Sequence, residues 1–91
     1  MKIEYDPVKR AETLRHRGLD MADVAHVFAG PTKTDEDLRA EYGEKRFVTF
    51  GFLAGRMVVI AWTPRGSVRR IISLRKANER EQAGYGPSLR P

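Results

Sequence analysis

The stretch of the chain richest in reactive side chains is Arg69-Arg70-Ile71-Ile72-Ser73-Leu74-Arg75-Lys76-Ala77, followed by Glu79-Arg80. A guanidinium offers a planar fork of donors that meets phosphate oxygens two at a time, and the lysine ammonium adds a compact point charge. One reaction suited to such a cluster is cleavage of RNA without a metal. The 2′-OH must lose a proton, the crowded phosphorane must have its charge neutralised, and the 5′-oxygen must receive a proton. Arginine and lysine can do the second task by preorganised electrostatics. Histidine, glutamate or lysine can do the proton transfers. Arg46, Arg70, Arg75 and Lys76 are therefore the expected phosphate and transition-state contacts, with Glu79 or His16 as the expected proton-transfer group. The same basic surface would equally serve a nucleic-acid-binding module that turns nothing over.

Other chemistries find little support. His16 and His26 have no local ligand spacing, and the acidic residues of segment 31–45 read as a solvated loop, so neither a metal nor a cofactor is expected. No serine sits in a nucleophile-elbow context. Gly51, Gly55 and Gly66 are strand or turn glycines, not a phosphate-binding loop. Cysteine is absent, which removes a disulfide framework, a thiolate zinc site and a cysteine nucleophile together and suits a reducing cytoplasm. The N-terminus lacks an apolar signal region and the longest apolar run, Met57 to Trp62, is far too short to span a bilayer, so the expected location is cytoplasmic with no membrane partner.

Charge is unevenly spread. Residues 1–45 carry eight Lys/Arg against ten Asp/Glu, a net of 8 − 10 = −2. Residues 46–91 carry nine against two, 9 − 2 = +7, which completes the overall +5. A basic half points to a polyanionic partner.

These groups need elements to position them. Ile3 to Tyr5 reads as a short strand. Asp6-Pro7 starts a helix, since Asp accepts a first-turn N–H and Pro has its φ preset. That helix should run to Arg17, stop at Gly18, and carry Val8, Ala11 and Leu14 as a thin apolar stripe. Asp20 caps a second helix, whose Met21, Val24, Ala25 and Phe28 form a buried face and which Gly30-Pro31 ends. Residues 31–45 read as a connecting loop with room for one short edge strand. Three strands follow at about 45–53, 56–63 and 67–74, joined by turns at Ala54-Gly55 and Arg65-Gly66 into an antiparallel meander. A short helix over about 76–83 and a loose tail over 84–91 complete one domain, residues 1–83. Helices first and a meander afterwards make an α+β fold with the helices on one sheet face.

Two-residue turns would fix the register. Arg46, Val48, Phe50 and Phe52 then share a face with Met57, Val59, Ala61, Thr63, Val68, Arg70, Ile72 and Leu74, and this face is expected beneath the helices. The opposite face sets Phe47, Trp62 and Arg69 side by side, with Ser73 and Arg75 further along. Cross-strand neighbours lie about 5 Å apart, so this would be an aromatic–arginine platform for stacking a splayed base, with Arg65 and Arg80 extending the basic surface. A bulge would flip the parity of the last strand.

The ordered set Glu4-Tyr5-Asp6-Pro7-x-Lys9, His16-x-Gly18, Phe28, Glu44-x-Arg46-Phe47 and Arg70-Ile71-Ile72-Ser73-Leu74-Arg75-Lys76-Ala77-x-x-x-Glu81 resembles the BrnT family of bacterial toxins over residues 3 to about 85. The chain departs from the family pattern in having Tyr5 for Trp, Thr13 and Arg15 for Asn and Lys, and Leu74 for Ala. The resemblance implies a fold similar to the RelE/ParE toxins and a ribonuclease activity that halts translation. It also implies a BrnA-like ribbon-helix-helix antitoxin that neutralises the toxin, in an expected 2:2 complex that binds operator DNA.

Overall fold

The computed structural model describes residues 1–89. Strand β1 is Lys2–Glu4, helix α1 Pro7–Arg17, and a 3₁₀ turn at Met21–Asp23 leads into α2, Val24–Ala29. Strands β2 (Lys33–Glu36), β3 (Phe47–Leu53), β4 (Arg56–Arg65) and β5 (Val68–Lys76) follow, and α3 spans Glu79–Leu89. The five strands form one sheet in the order β1-β5-β4-β3-β2. Strands β2 to β5 are an antiparallel meander, while β1 returns parallel to β5 and pairs only as far as Glu4 opposite Arg70. The fold is thus α+β, as the order of elements implies.

Local signals account for the helix ends. Asp6 Oδ1 accepts from the Val8 amide at 2.9 Å, and Pro7 opens the helix. Gly18, with φ 68°, donates to the Leu14 carbonyl and stops it. Asp20 accepts from the Ala22 amide, and its carboxylate also takes Arg10 in a two-point contact at 2.7 and 3.0 Å. That pairing holds the Asp20 carboxyl below its ordinary range. The first sheet turn is Ala54-Gly55 with φ 50° and 79°, the left-handed pair that a two-residue hairpin requires.

One face of the sheet carries Thr49, Val58, Ile60, Trp62, Ile71 and Leu74, and Leu19, Met21, Val24 and Val27 pack onto it. Gly51 allows the close approach of α2, because a Cβ there would lie 2.6 Å from Val27 Cγ1. A chain of hydroxyls crosses the same layer: Trp62 Nε1 donates to Thr49 Oγ1 at 2.8 Å, and Thr49 is hydrogen-bonded to Thr34 at 2.7 Å. Edge strand β2 is thereby tied to the core through side chains as well as its ladder.

Four expectations change here. The N-terminal helices cover the face of Thr49, Ile60 and Trp62, not that of Val48, Phe50 and Val59. Both faces are rich in apolar residues, so periodicity alone could not rank them. Second, the stripe on α1 is not core: Val8 is 64% and Leu14 46% exposed, and α1 is held instead by Arg10 on Asp20 and by Arg17 donating to the Leu74 carbonyl at 2.7 Å. Third, β5 slips against β4 between Ala61 and Trp62. Ala61 faces Ser73 and Trp62 faces Ile71, which leaves Ile72 as an extra residue. This β-bulge flips the strand beyond it, so Leu74 turns to the core beside Ile60 while Ser73 and Arg75 turn to the opposite face. Fourth, α3 starts at Glu79, not near Lys76, and continues to Leu89. Gly84, Gly86 and Pro87 read as breakers, yet Tyr85 stacks on Phe50 with centroids 4.1 Å apart and Leu89 is buried against the second sheet face. Tertiary packing there outweighs intrinsic propensity. Residues 90 and 91 of the expected tail lie outside the described residues.

Candidate functional site

The sheet face away from α1 and α2 is only partly covered, by α3, and three arginines lie on it. Arg70 lies opposite Thr63 and donates to Glu4 Oε1 at 2.9 Å. Arg46, just before β3, falls on the same face, its guanidinium 4.1 Å above the Tyr42 ring and its buried Nε without a hydrogen-bond partner. Arg75 lies opposite Val59. The expected meeting of Arg46 and Arg70 at one end of this face agrees with the register, and Arg75 joins them because of the bulge.

A groove of about 330 Å³ runs along this face. Val48, Phe50, Val59 and Ala61 floor it, Ser73, Arg75, Glu81 and Tyr85 form one side, and residues 35–39 form the other. Its two arginines are locked in pairs. Arg75 donates to both oxygens of Glu81 at 2.8 Å, and Glu81 also accepts from the Asn78 amide while Asn78 Oδ1 takes the Glu81 amide. The last two bonds are a reciprocal cap at the start of α3. The hydrogen bond from Arg75 holds the Glu81 carboxyl below the ordinary carboxylate range. Across the groove Arg39 grips Asp37 in the same two-point way at 2.8 Å, assisted by Tyr42 Oη at 3.1 Å, and the Asp37 carboxyl lies far below its usual value.

A second cavity, about 350 Å³, opens between α1 and β5. Lys9, Glu12, Thr13 and His16 line it at i, i+3, i+4 and i+7 of α1, beside Arg17, and Met21, Ile72 and Ser73 close the other side. The two cavities share Ser73. They meet along the part of β5 that β1 is too short to pair.

The remaining expected residues scatter. Lys76 is exposed and lies opposite Val58, on the face away from Arg75. Glu79 and Arg80 are exposed on the first turn of α3. Arg65 is exposed at the β4–β5 turn, 4.0 Å from Glu44. The aromatic–arginine group does assemble: Phe47 stacks on Trp62 at 5.0 Å, and the Arg69 guanidinium sits 4.0 Å from the Phe28 ring and 5.0 Å from Trp62. It lies under α2, however. Trp62 is 7% exposed and meets Phe28 edge-on at 5.9 Å, so it is a core residue and offers no open face to a base.

Sequence reasoning gave Glu81 no part beyond the family motif and passed over Arg39 and Glu12. The Asn78-x-x-Glu81 cap was a legible signal for the first, and the polar stripe at helical spacing for the third. Arg39 lay in a segment with no periodicity to read. Among the described residues, no three His, Asp or Glu side chains gather closely enough to hold a metal ion, and no helix is long and apolar enough to cross a membrane.

No curated protein matches the sequence. A family model does: the ribonuclease toxin BrnT of type II toxin–antitoxin systems matches residues 5–81. That span holds both cavities' polar walls except Tyr85, and the chain belongs to the BrnT family of ribonuclease toxins of type II toxin–antitoxin systems.

Proposed function

We propose that this chain is a metal-independent endoribonuclease that cleaves RNA by attack of the 2′-OH and thereby inhibits translation. The observation that carries the reading is the arrangement of Arg46, Arg70 and Arg75 along one open sheet face, in a chain of a ribonuclease toxin family. An RNA strand laid along this face meets guanidinium groups at both ends of an apolar-floored groove. Arg75 must exchange Glu81 for phosphate to take part, which favours a substrate that binds through several contacts at once. Exposed Arg65 and Arg80 add to the attraction at longer range. Lys76, Arg69 and Trp62 do not belong to this surface. A fold like that of the RelE/ParE toxins accords with the reading.

A cationic ribonuclease must be restrained, and the proposed partner is a BrnA-like ribbon-helix-helix antitoxin in a 2:2 complex that binds operator DNA. Its contact surface should be acidic, so that association slows as salt rises. The complex should also melt higher than the toxin alone, by mass action.

The test is incubation of the purified chain with end-labelled RNA in EDTA. Cleavage that continues in chelator is the expected result. Activity that vanishes in EDTA and returns with Mg²⁺ would overturn metal independence, and intact RNA in every condition would overturn the enzyme reading.

A further inference from the structure

The cleft between α1 and β5 contains an acid–base pair that no ion pair occupies. Glu12 and His16 are four residues apart on α1, so their Cβ atoms lie about 5–6 Å from one another on one helix face. Both are exposed and both line the cleft. Among the described residues neither makes a salt bridge, whereas Arg70, Arg75 and Arg39 are each already paired, with Glu4, Glu81 and Asp37. Glu81 in particular spends its oxygens on Arg75 and the Asn78 amide. The exposed Glu79 lines neither cavity. A ribonuclease without a metal needs one group to take a proton and one to give it, on either side of the phosphate.

Resting on the reading of the chain as a ribonuclease, we propose that Glu12 and His16 are its general base and general acid, with Lys9 one turn before Glu12 as a phosphate contact. The RNA strand crosses β5 at Ser73, the residue common to both cavities, and places its scissile phosphate in the α1 cleft. The 2′-oxygen attacks phosphorus and its proton passes to the Glu12 carboxylate. The P–O5′ bond breaks, and the departing oxygen takes a proton from the His16 imidazolium. The products are a 2′,3′-cyclic phosphate and a 5′-OH. The Arg15 guanidinium donates to His16 Nε2 at 3.3 Å, so protonation at that nitrogen displaces Arg15, which is then free to meet phosphate. The charged groups around the pair are Lys9, Arg15 and Arg17, all on α1; the opposite walls, Met21, Ile72 and Ser73, carry no charge.

The experiment is the pH–rate profile of the wild-type chain, Glu12→Gln and His16→Gln on one short RNA, together with the same RNA carrying a bridging 5′-sulfur at the scissile position. Each variant should lose about 10²–10⁴-fold in kcat. Glu12→Gln should lose the acidic limb, which follows ionisation of the base, and His16→Gln the alkaline limb, which follows deprotonation of the acid. A thiolate leaves without a proton, so the sulfur substrate should restore His16→Gln to near the wild-type rate and leave Glu12→Gln impaired. Because both side chains are exposed, both variants should melt with the wild type. An active wild type with either variant unimpaired, or with an unchanged profile, overturns this assignment alone. A wild type that leaves RNA intact overturns the ribonuclease reading and this assignment with it.

Discussion

The groove under α3 and the cleft under α1 lie on either side of β5 and share one residue, yet they use charge in opposite ways. In the groove, Arg75 and Arg39 are each clasped by a carboxylate through two hydrogen bonds. In the cleft, Lys9 and Glu12 form no salt bridge among the described residues. Glu81 joins β5 to the start of α3, so the groove's charges hold an element in place. Lys9 and Glu12 in the cleft hold no element in place and are available to a ligand, while Arg17 beside them docks α1 on the Leu74 carbonyl. A charge cluster read from sequence does not distinguish these two uses; the distinction comes from which partners the fold supplies.

Variants can break this comparison at several strengths. The largest effect should come from the core under α2. Trp62→Ala is expected to cost about 3–5 kcal/mol of folding stability, as removal of a buried indole does, and to lower RNA affinity only by unfolding. A stable Trp62→Ala chain with selectively lost RNA binding in urea titration and filter binding would return Trp62 to the substrate surface. Next is Arg75→Ala, which should weaken RNA binding about 10–10²-fold, as loss of a charge-assisted phosphate contact away from the scissile position does. A well-folded variant of wild-type RNA affinity would remove Arg75 from the site.

Glu81→Gln should be milder, about 1–2 kcal/mol, since a charge-assisted pair and part of a cap are lost while Arg75 remains partly solvated. Its pH dependence has a definite sign. The Glu81 carboxyl is lowered in the folded chain, so its contribution is present above the unfolded value of about 4.3 and is lost as pH falls through the folded value. Wild type and Glu81→Gln should therefore converge in melting temperature below that range, and a constant gap down to strongly acidic pH would contradict it. The smallest effect belongs to α1. Val8→Ser should change stability by less than about 0.5 kcal/mol, because the side chain is mostly in solvent. A loss several times larger in thermal melts would mean that the helix packs through that stripe after all.

Much of this is legible in the sequence. Asp6-Pro7 and Gly18 delimit α1, Asp20 starts the second helical segment, and the Phe47–Trp62 pairing follows from the Ala54-Gly55 turn. The family resemblance, carried by motifs from Glu4 to Glu81, agrees with the match over 5–81. What escaped were choices between near-equal alternatives. Val48, Phe50 and Val59 looked as buriable as Thr49, Ile60 and Trp62, and only the paths of α2 and α3 decide which helix covers which set. Nothing local in Ile71-Ile72-Ser73 announces a bulge, yet that one residue moves Arg75 from one face to the other. Leu14 and Val8 have helical spacing but no opposing surface, because Arg10 and Arg17 dock the helix instead.

The account stands most directly on the chemistry of the cut ends. RNA cleaved by the purified chain should carry 2′,3′-cyclic phosphate on one fragment and 5′-OH on the other, and a 2′-O-methyl group at the scissile nucleotide should abolish cleavage there. Fragments ending in 3′-OH and 5′-phosphate, or cleavage that ignores the methyl group, would contradict it.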